Sequence, residues 1–187
     1  MTTNTLPSSR FSQLYINRLG LWLFILSESV IFVALLFTRF YLLGVERAPE
    51  INQTIGLIIT GLLLVSSLTA YRAEVHIAQG NRKAFMNNIL ATILLGIVFL
   101  IGVGIEWSEA FDHFPPGTLF GTVFFTMTGM HAFHVLTGLL LLGLLYLRGT
   151  KGAYSKNDYW GAEATIKYWH FVDIVWVFFY PALYLLS

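Results

Sequence analysis

Ionisable side chains inside long apolar stretches are the residues of this chain that could do chemistry. Glu28 lies between Ser27 and Ser29 in the first such stretch. At about 1.5 Å of rise per residue, a helix would place it near the middle of a bilayer. Ionisable groups are costly at that depth, so Glu28 is either an element of a proton or gas pathway or a protonated carboxyl that bonds to a neighbouring helix. The residue alone slightly favours the second interpretation.

Four further residues form two pairs on helix faces. His131 and His134 are three residues apart near the middle of the fourth apolar stretch, so they share a face. We expect one of them to pair with Glu28, because the three residues lie at similar depths. His170 and Asp173 share a face early in the fifth stretch. They form either a proton relay or a polar clamp that orients the helix, and the clamp is the simpler interpretation.

The histidines are weak indicators of a metal or haem. A di-iron bundle needs several carboxylates beside its histidines, and only Glu28 is available at the depth of His131 and His134. A bis-histidine haem needs one ligand from each of two helices, and His170 lies too near the end of its stretch to be a suitable partner. Hydrogen bonding between helices is the better interpretation.

Five apolar stretches must position these residues. The chain has 187 residues, of which 56% are hydrophobic and 11% charged, with mean hydropathy +0.69. A soluble domain carries roughly 25% charged residues. Apolar stretches of about 20 residues can cross a bilayer, and they must do so as helices. We therefore predict an all-α integral membrane protein, a bundle of five transmembrane helices at residues 19–43, 55–76, 85–106, 119–147 and 166–186, after a cytoplasmic N-terminal tail at residues 1–18.

The distribution of Lys and Arg predicts the orientation. Nine of the eleven lie in the tail, in the loop between spans 2 and 3, and in the loop between spans 4 and 5. The loop from Glu106 to Thr118 has three acidic residues and no cation. Because positive loops stay on the cytoplasmic side, the N-terminus is predicted to be cytoplasmic and the C-terminus periplasmic. Frequent glycines within the stretches predict a tightly packed bundle.

Composition excludes several other classes of function. The net charge is +1 and no basic stripe with interleaved aromatic residues is present, so we expect no nucleic acid partner. The chain has no cysteine, which excludes disulfides, thiolate metal sites and cysteine nucleophiles. The first apolar stretch is too long for the apolar region of a cleaved signal peptide.

Four segments resemble a known family. They read RLGLWLFILSE at residues 18–28, EWSEAF at 106–111, TGMHAFHVLTG at 128–138 and YWHFVDIVW at 168–176, with Glu163 seven residues before His170. Their residues and order are similar to those of subunit III of haem-copper terminal oxidases, over almost the whole chain. The sequence is identified as a member of this family, in a short five-helix bacterial form.

The resemblance implies a supporting role in a proton-pumping complex that reduces oxygen to water. Such a subunit carries no redox centre, because haem and copper lie in subunits I and II. It packs against subunit I, supports sustained proton uptake, slows turnover-linked inactivation and carries ordered phospholipids. Subunit II, a small subunit and a respiratory supercomplex are further implied partners. The implied location is the bacterial cytoplasmic (inner) membrane, and the electron donor is either cytochrome c or quinol.

The resemblance also implies roles for individual residues. Glu28 corresponds to the family's buried, carbodiimide-reactive carboxyl, which lies near a proposed oxygen route. Arg148 corresponds to an arginine that binds a lipid headgroup, and Glu163 is a second headgroup candidate. The cluster of His131, His134, His170 and Asp173 lies in the family's motifs.

One departure and three alternatives accompany this interpretation. Longer members carry two additional N-terminal helices that form one wall of a lipid-filled cleft, so we expect that cleft to be open or closed by another subunit. A similar short chain could accompany a nitric oxide reductase. A haem-carrying membrane cytochrome would use His131, His134 and His170. A small proton-coupled carrier would use Glu28, although Pro181 is the only proline inside the five spans.

Overall fold

The described part of the chain is almost entirely helical. The computed structural model describes residues 11–45 and 53–185, and it contains α1 (Gln13–Leu43), α2 (Gln53–Ala78), α3 (Arg82–His113), α4 (Leu119–Thr150) and α5 (Trp160–Tyr180). A π-helix (Pro181–Leu185) continues α5. The all-α prediction is confirmed within these ranges. Most of the predicted tail lies outside the described residues, and so does Arg47, one of the two cations that do not belong to the nine on the predicted cytoplasmic side.

Four of the five helices are long and apolar enough to cross a membrane, judged by length and composition. They are α1, α2, α3 and α4. The fifth helix is more polar, because every 18-residue stretch of α5 contains Glu163, Lys167 and Asp173. These three residues therefore need partners within the protein.

The helices extend beyond the predicted spans, and local capping explains where three of them begin. Hydroxyl or amide oxygens of Ser12, Asn81 and Thr118 accept hydrogen bonds from backbone N–H groups at the starts of α1, α3 and α4. Residues 13–18, predicted as tail, are consequently helical. The prediction that Glu106 begins a loop is wrong: α3 continues to His113, where Pro115 and Pro116 follow and cannot prolong it.

The bundle is built around α5. Helix α2 packs against α3, α3 against α4, and α4 against α5, while α2 also packs against α5. Helix α1 lies on the flank of this four-helix arrangement, mainly against α4 and α5. Only 11% of the most apolar stretch of α1 is buried, against 28–33% in α2, α3 and α4. A large apolar face of α1 is therefore left uncovered.

Trp169 shows why glycines are needed in this bundle. Its indole ring lies against Gly96 of α3 and Gly138 of α4, where an added Cβ atom would come within 2.7 and 2.8 Å of ring carbons. Its Nε1–H donates to Ser66 Oγ of α2 at 3.1 Å. One tryptophan of α5 thus contacts three other helices, which confirms the tight packing at these glycines. Gly104 and Gly143, in contrast, have no atom of the described residues within 4 Å of such a Cβ position, so no contact among those residues requires a glycine there.

Gly138→Ala is expected to destabilise the bundle by roughly 1–3 kcal/mol, because the methyl group would overlap the rigid indole ring of Trp169. Gly143→Ala, in the same helix but facing open space, is the matched control and should leave stability unchanged or slightly higher. Thermal unfolding of the purified full chain in detergent would measure both. Equal midpoints for the two variants would contradict the packing role of Gly138.

Candidate functional site

The predicted pairing of Glu28 with a histidine is confirmed, and the histidine is His134. Glu28 Oε2 of α1 lies 3.2 Å from His134 Nε2 of α4. His134 Nδ1 lies 2.8 Å from the carbonyl oxygen of Met130, which can only accept, so Nδ1 carries a proton. Nε2 then either accepts a proton from a neutral Glu28 or donates one to its carboxylate. One proton shared between Oε2 and Nε2 satisfies the pair.

The pair lies at the edge of the bundle. The His134 side chain is 7% exposed and that of Glu28 is 22% exposed. Phe32 of α1 places its ring 4.7 Å from the imidazole, edge to face. The carboxyl can thus be reached from the side where α1 is uncovered.

The side chain of His131 lies in a different environment from that of His134. It is fully buried, and its ring stacks on Trp176 with centroids 4.8 Å apart. The ring of Phe99 meets it edge to face, with centroids 5.8 Å apart. Neither ring nitrogen has a hydrogen-bond partner in the described part of the chain. Within residues 11–45 and 53–185, no group of three or more His, Cys, Asp or Glu could hold a metal ion. The two histidines of the fourth span therefore contribute to separate contacts.

His170 and Asp173 are brought together with a serine that the sequence analysis did not select. His170 Nδ1 lies 2.8 Å from Ser67 Oγ of α2 and 3.9 Å from Asp173 Oδ2. Asp173 is 3% exposed. Ser67 has a weak sequence signal, since Ser66 and Ser67 are adjacent hydroxyl residues directly after the apolar run at residues 61–65.

An ion cluster joins the ends of three helices. Arg18 of α1 binds both carboxylate oxygens of Glu163 of α5, at 3.0 and 2.9 Å. Lys167 contacts the same carboxylate and lies 3.7 Å from Glu74 of α2. Glu163 is 5% exposed, so two cations surround a buried carboxylate. A contact between Glu163 and a lipid headgroup is not tested by this arrangement and stays a prediction.

A neighbouring contact joins the end of α4 to the start of α3. Arg82 donates from Nε and Nη2 to the carbonyl oxygen of Gly149, at 3.1 and 2.7 Å, and from Nη2 to that of Thr150 at 2.7 Å. Arg148, the predicted headgroup ligand, is exposed on the last turn of α4. The helix ends that carry most of the basic residues thus lie on one side of the bundle, as the charge distribution predicts.

At the other end of the bundle, Glu106 holds the π-helix. Tyr184 donates to Glu106 Oε2 of α3 at 2.7 Å, and Gln53 of α2 donates to the Tyr184 carbonyl oxygen at 3.1 Å. Gly56 lies against the tyrosine ring, where a Cβ would approach to 2.7 Å. The contact between Tyr184 and Glu106 was not predicted from the sequence, because Glu106 was assigned to a loop.

Comparison with known proteins decides the family. A family model described as cytochrome c oxidase subunit III matches residues 13–187. The chain belongs to this family. The cytochrome c oxidase subunit 3 of the dugong (Dugong dugon) is 36% identical over 180 residues, which cover 89% of this chain and 68% of the dugong protein. The corresponding proteins of the African elephant (Loxodonta africana) and the Japanese quail (Coturnix japonica) are 35% and 34% identical with the same coverage.

Each motif of this oxidase subunit III supplies polar residues to contacts between helices. The first motif contains Arg18 and Glu28, which contact α5 and α4. The motif of α4 contains His134, and the motif of α5 contains His170 and Asp173. The segment at 106–111 contributes its first residue to the contact with Tyr184. The motifs therefore specify how the helices of subunit III meet one another.

Tyr184→Phe is expected to destabilise the subunit by about 1–3 kcal/mol, because the buried Glu106 carboxyl loses its tyrosine donor. Tyr41→Phe, at a position that is 89% exposed, is the matched control and should have no measurable effect. Thermal unfolding of the two purified variants gives the comparison. If Tyr184→Phe unfolds at the wild-type midpoint, the hydrogen bond contributes nothing to holding the π-helix.

Proposed function

We propose that this oxidase subunit III is a non-catalytic subunit of a proton-pumping complex in the bacterial cytoplasmic membrane. Subunit I would be its main partner and would hold the haem and copper with subunit II. The observation that supports this role best is the Glu28–His134 pair, a proton-sharing contact on an uncovered flank of the bundle. The curated relatives are cytochrome c oxidase subunits, so a nitric oxide reductase is not favoured as the partner complex.

The proposed topology has five spans with a cytoplasmic N-terminus. Helix α5 contributes the fifth span, because its polar residues face partners on other helices: Glu163 faces Arg18, and Lys167 lies beside Glu74. A span that buries its charges among neighbouring helices can be more polar than one in contact with lipid. The basic helix ends gather on one side, which supports assigning that side to the cytoplasm.

The surroundings of Glu28 support a role of this subunit in the access of oxygen to the complex. An apolar cavity of about 260 Å³ lies between α1 and α5, and Ser29 and Phe32 line it on the α1 side. Phe32 also contacts the ring of His134. A small apolar molecule such as oxygen fits such a lining. In the adjacent polar pair, the shared proton satisfies the two facing atoms, Glu28 Oε2 and His134 Nε2. The pair would hold α1 at this depth while the cavity remains apolar.

Phospholipid is a further proposed ligand. Arg148 is exposed at the end of α4, with Lys151 immediately after the helix. Exposed cations at a membrane surface attract anionic headgroups. Lipid and subunit I are together proposed to cover the apolar face of α1. Membership of a respiratory supercomplex is compatible with the remaining surface.

Mild extraction of the tagged chain tests the proposal directly. We expect haem-copper subunits I and II to co-purify with oxygen-consuming activity, and the separated chain to show no haem absorbance. Activity with reduced cytochrome c or with quinol would identify the electron donor. Co-purification of nitric oxide reductase subunits, or a haem spectrum in the lone chain, would overturn the proposed role.

Glu28→Gln is expected to preserve assembly but shorten the catalytic lifetime of the oxidase severalfold, since the shared proton with His134 is lost while the shape is kept. His134→Gln should act in the same direction. Asp112→Asn, an exposed position on α3, is the matched control. The measurement is the total oxygen consumed before activity decays, normalised to haem. A wild-type lifetime in both pair variants would show that the pair is structural only.

A further inference from the structure

A second buried acid lies away from Glu28, on the side of α5 that faces α2. Asp173 is 3% exposed, and neither of its carboxyl oxygens has a hydrogen-bond partner among residues 11–45 and 53–185. His170 Nδ1 is 3.9 Å from Asp173 Oδ2, which is too far for a hydrogen bond, and 2.8 Å from Ser67 Oγ. We call these three side chains the Asp173 cluster.

The cation nearest to the cluster along α5 is paired with other carboxylates. Lys167 lies six residues before Asp173, and its ammonium group contacts Glu163 and lies 3.7 Å from Glu74 of α2. Those two carboxylates compensate its charge at the end of the helix. Lys167 is therefore not a counter-ion for Asp173.

The titratable groups of the other neighbouring helices face different partners. On α4, His131 stacks on Trp176 and His134 bonds to Glu28 of α1. His170 is thus the titratable group that the described part of the chain places beside Asp173. An ionised carboxylate without a fixed cation would be strongly unfavourable at this position.

We propose that Asp173 holds an exchangeable proton, and that His170 and Ser67 form the path by which this proton enters and leaves. The His170 side chain is 28% exposed, so the imidazole joins the surface of the chain to the buried carboxyl. When the Asp173 proton leaves, the Ser67 hydroxyl accepts it and donates its own proton to His170 Nδ1, and Nε2 releases its proton at the surface. Uptake follows the same steps in reverse, so one proton enters Asp173 for each proton that left it, and no electron is transferred.

This site is independent of the Glu28–His134 pair. The Asp173 cluster joins α5 to α2, whereas the pair joins α1 to α4. No side chain belongs to both. A substitution in one site therefore leaves the groups of the other site in place, and the two sites can be tested separately.

Infrared spectroscopy of the full chain, purified with its accompanying subunits, tests the proposal. The measured quantities are the carbonyl band of protonated carboxylic acids and the rate of its shift after transfer into D₂O. Asp173→Asn, which keeps the side-chain shape, should remove one component of that band. His170→Phe and Ser67→Ala should keep the component but slow its shift in D₂O. Asp158→Asn, at an exposed position, is the matched control and should change neither.

Two results would overturn the proposal. If Asp173→Asn leaves the band unchanged, Asp173 does not carry a proton. If the band is lost in Asp173→Asn but both path variants exchange at the wild-type rate, His170 and Ser67 serve only to orient α5. A purely structural cluster would lower the unfolding midpoint in the path variants without changing the exchange rate. Should His170→Phe fail to assemble, Ser67→Ala alone decides between the path and the clamp.

Discussion

The structure depends on one constraint, which is that the most polar helix lies among apolar neighbours. Helix α5 carries Glu163, Lys167 and Asp173, yet it packs against α1, α2 and α4. If α5 is the fifth span, as proposed, water cannot satisfy such groups, so each must find a partner on another helix or carry a proton. The Arg18–Glu163 and Lys167–Glu74 contacts meet this requirement for two of the three residues, and the third, Asp173, is the one proposed to carry a proton. The arrangement of the other helices is therefore determined by polar contacts with α5 as well as by apolar packing.

Polar contacts at several depths also fix the register of the helices. The Trp176 indole donates to Thr60 at 2.9 Å, the Trp169 indole donates to Ser66, and Tyr184 donates to Glu106. Apolar packing alone tolerates sliding and rotation, since most side chains in the spans are of similar character. A hydrogen bond between two helices breaks when one helix shifts by a residue, because the donor or acceptor side chain then faces another direction. The polar residues thus select one arrangement among many that bury similar areas.

The sequence predicts the helices well because apolar length is a strong signal in membrane proteins. It also predicts that the basic helix ends lie together on one side of the bundle and that Glu28 contacts a histidine, since depth along a helix follows from residue number. It does not reveal which of two residues on one face meets a given neighbour: His134 and not His131 faces α1, because rotation about the helix axis depends on packing. Glu106 was misassigned because a charge near the end of an apolar stretch resembles a loop residue. Arg82 and Ser67 were missed because their partners lie 67 and 103 residues away.

The position of α1 explains why the Glu28–His134 pair, which joins α1 to α4, is the best candidate for function. Helix α1 lies on the flank and buries the smallest part of its apolar stretch, so it is held by fewer contacts than the helices around α5. Two of its polar contacts with the bundle are made by Arg18, near one end, and by Glu28, about ten residues further along. Movement of α1 would alter the proton shared by Glu28 and His134 without disturbing Trp169 or the glycines that enclose it. A partner chain seated on the uncovered face of α1 would therefore act on this pair first, whereas the Asp173 cluster, on the α2 side of α5, would be sheltered from the same movement.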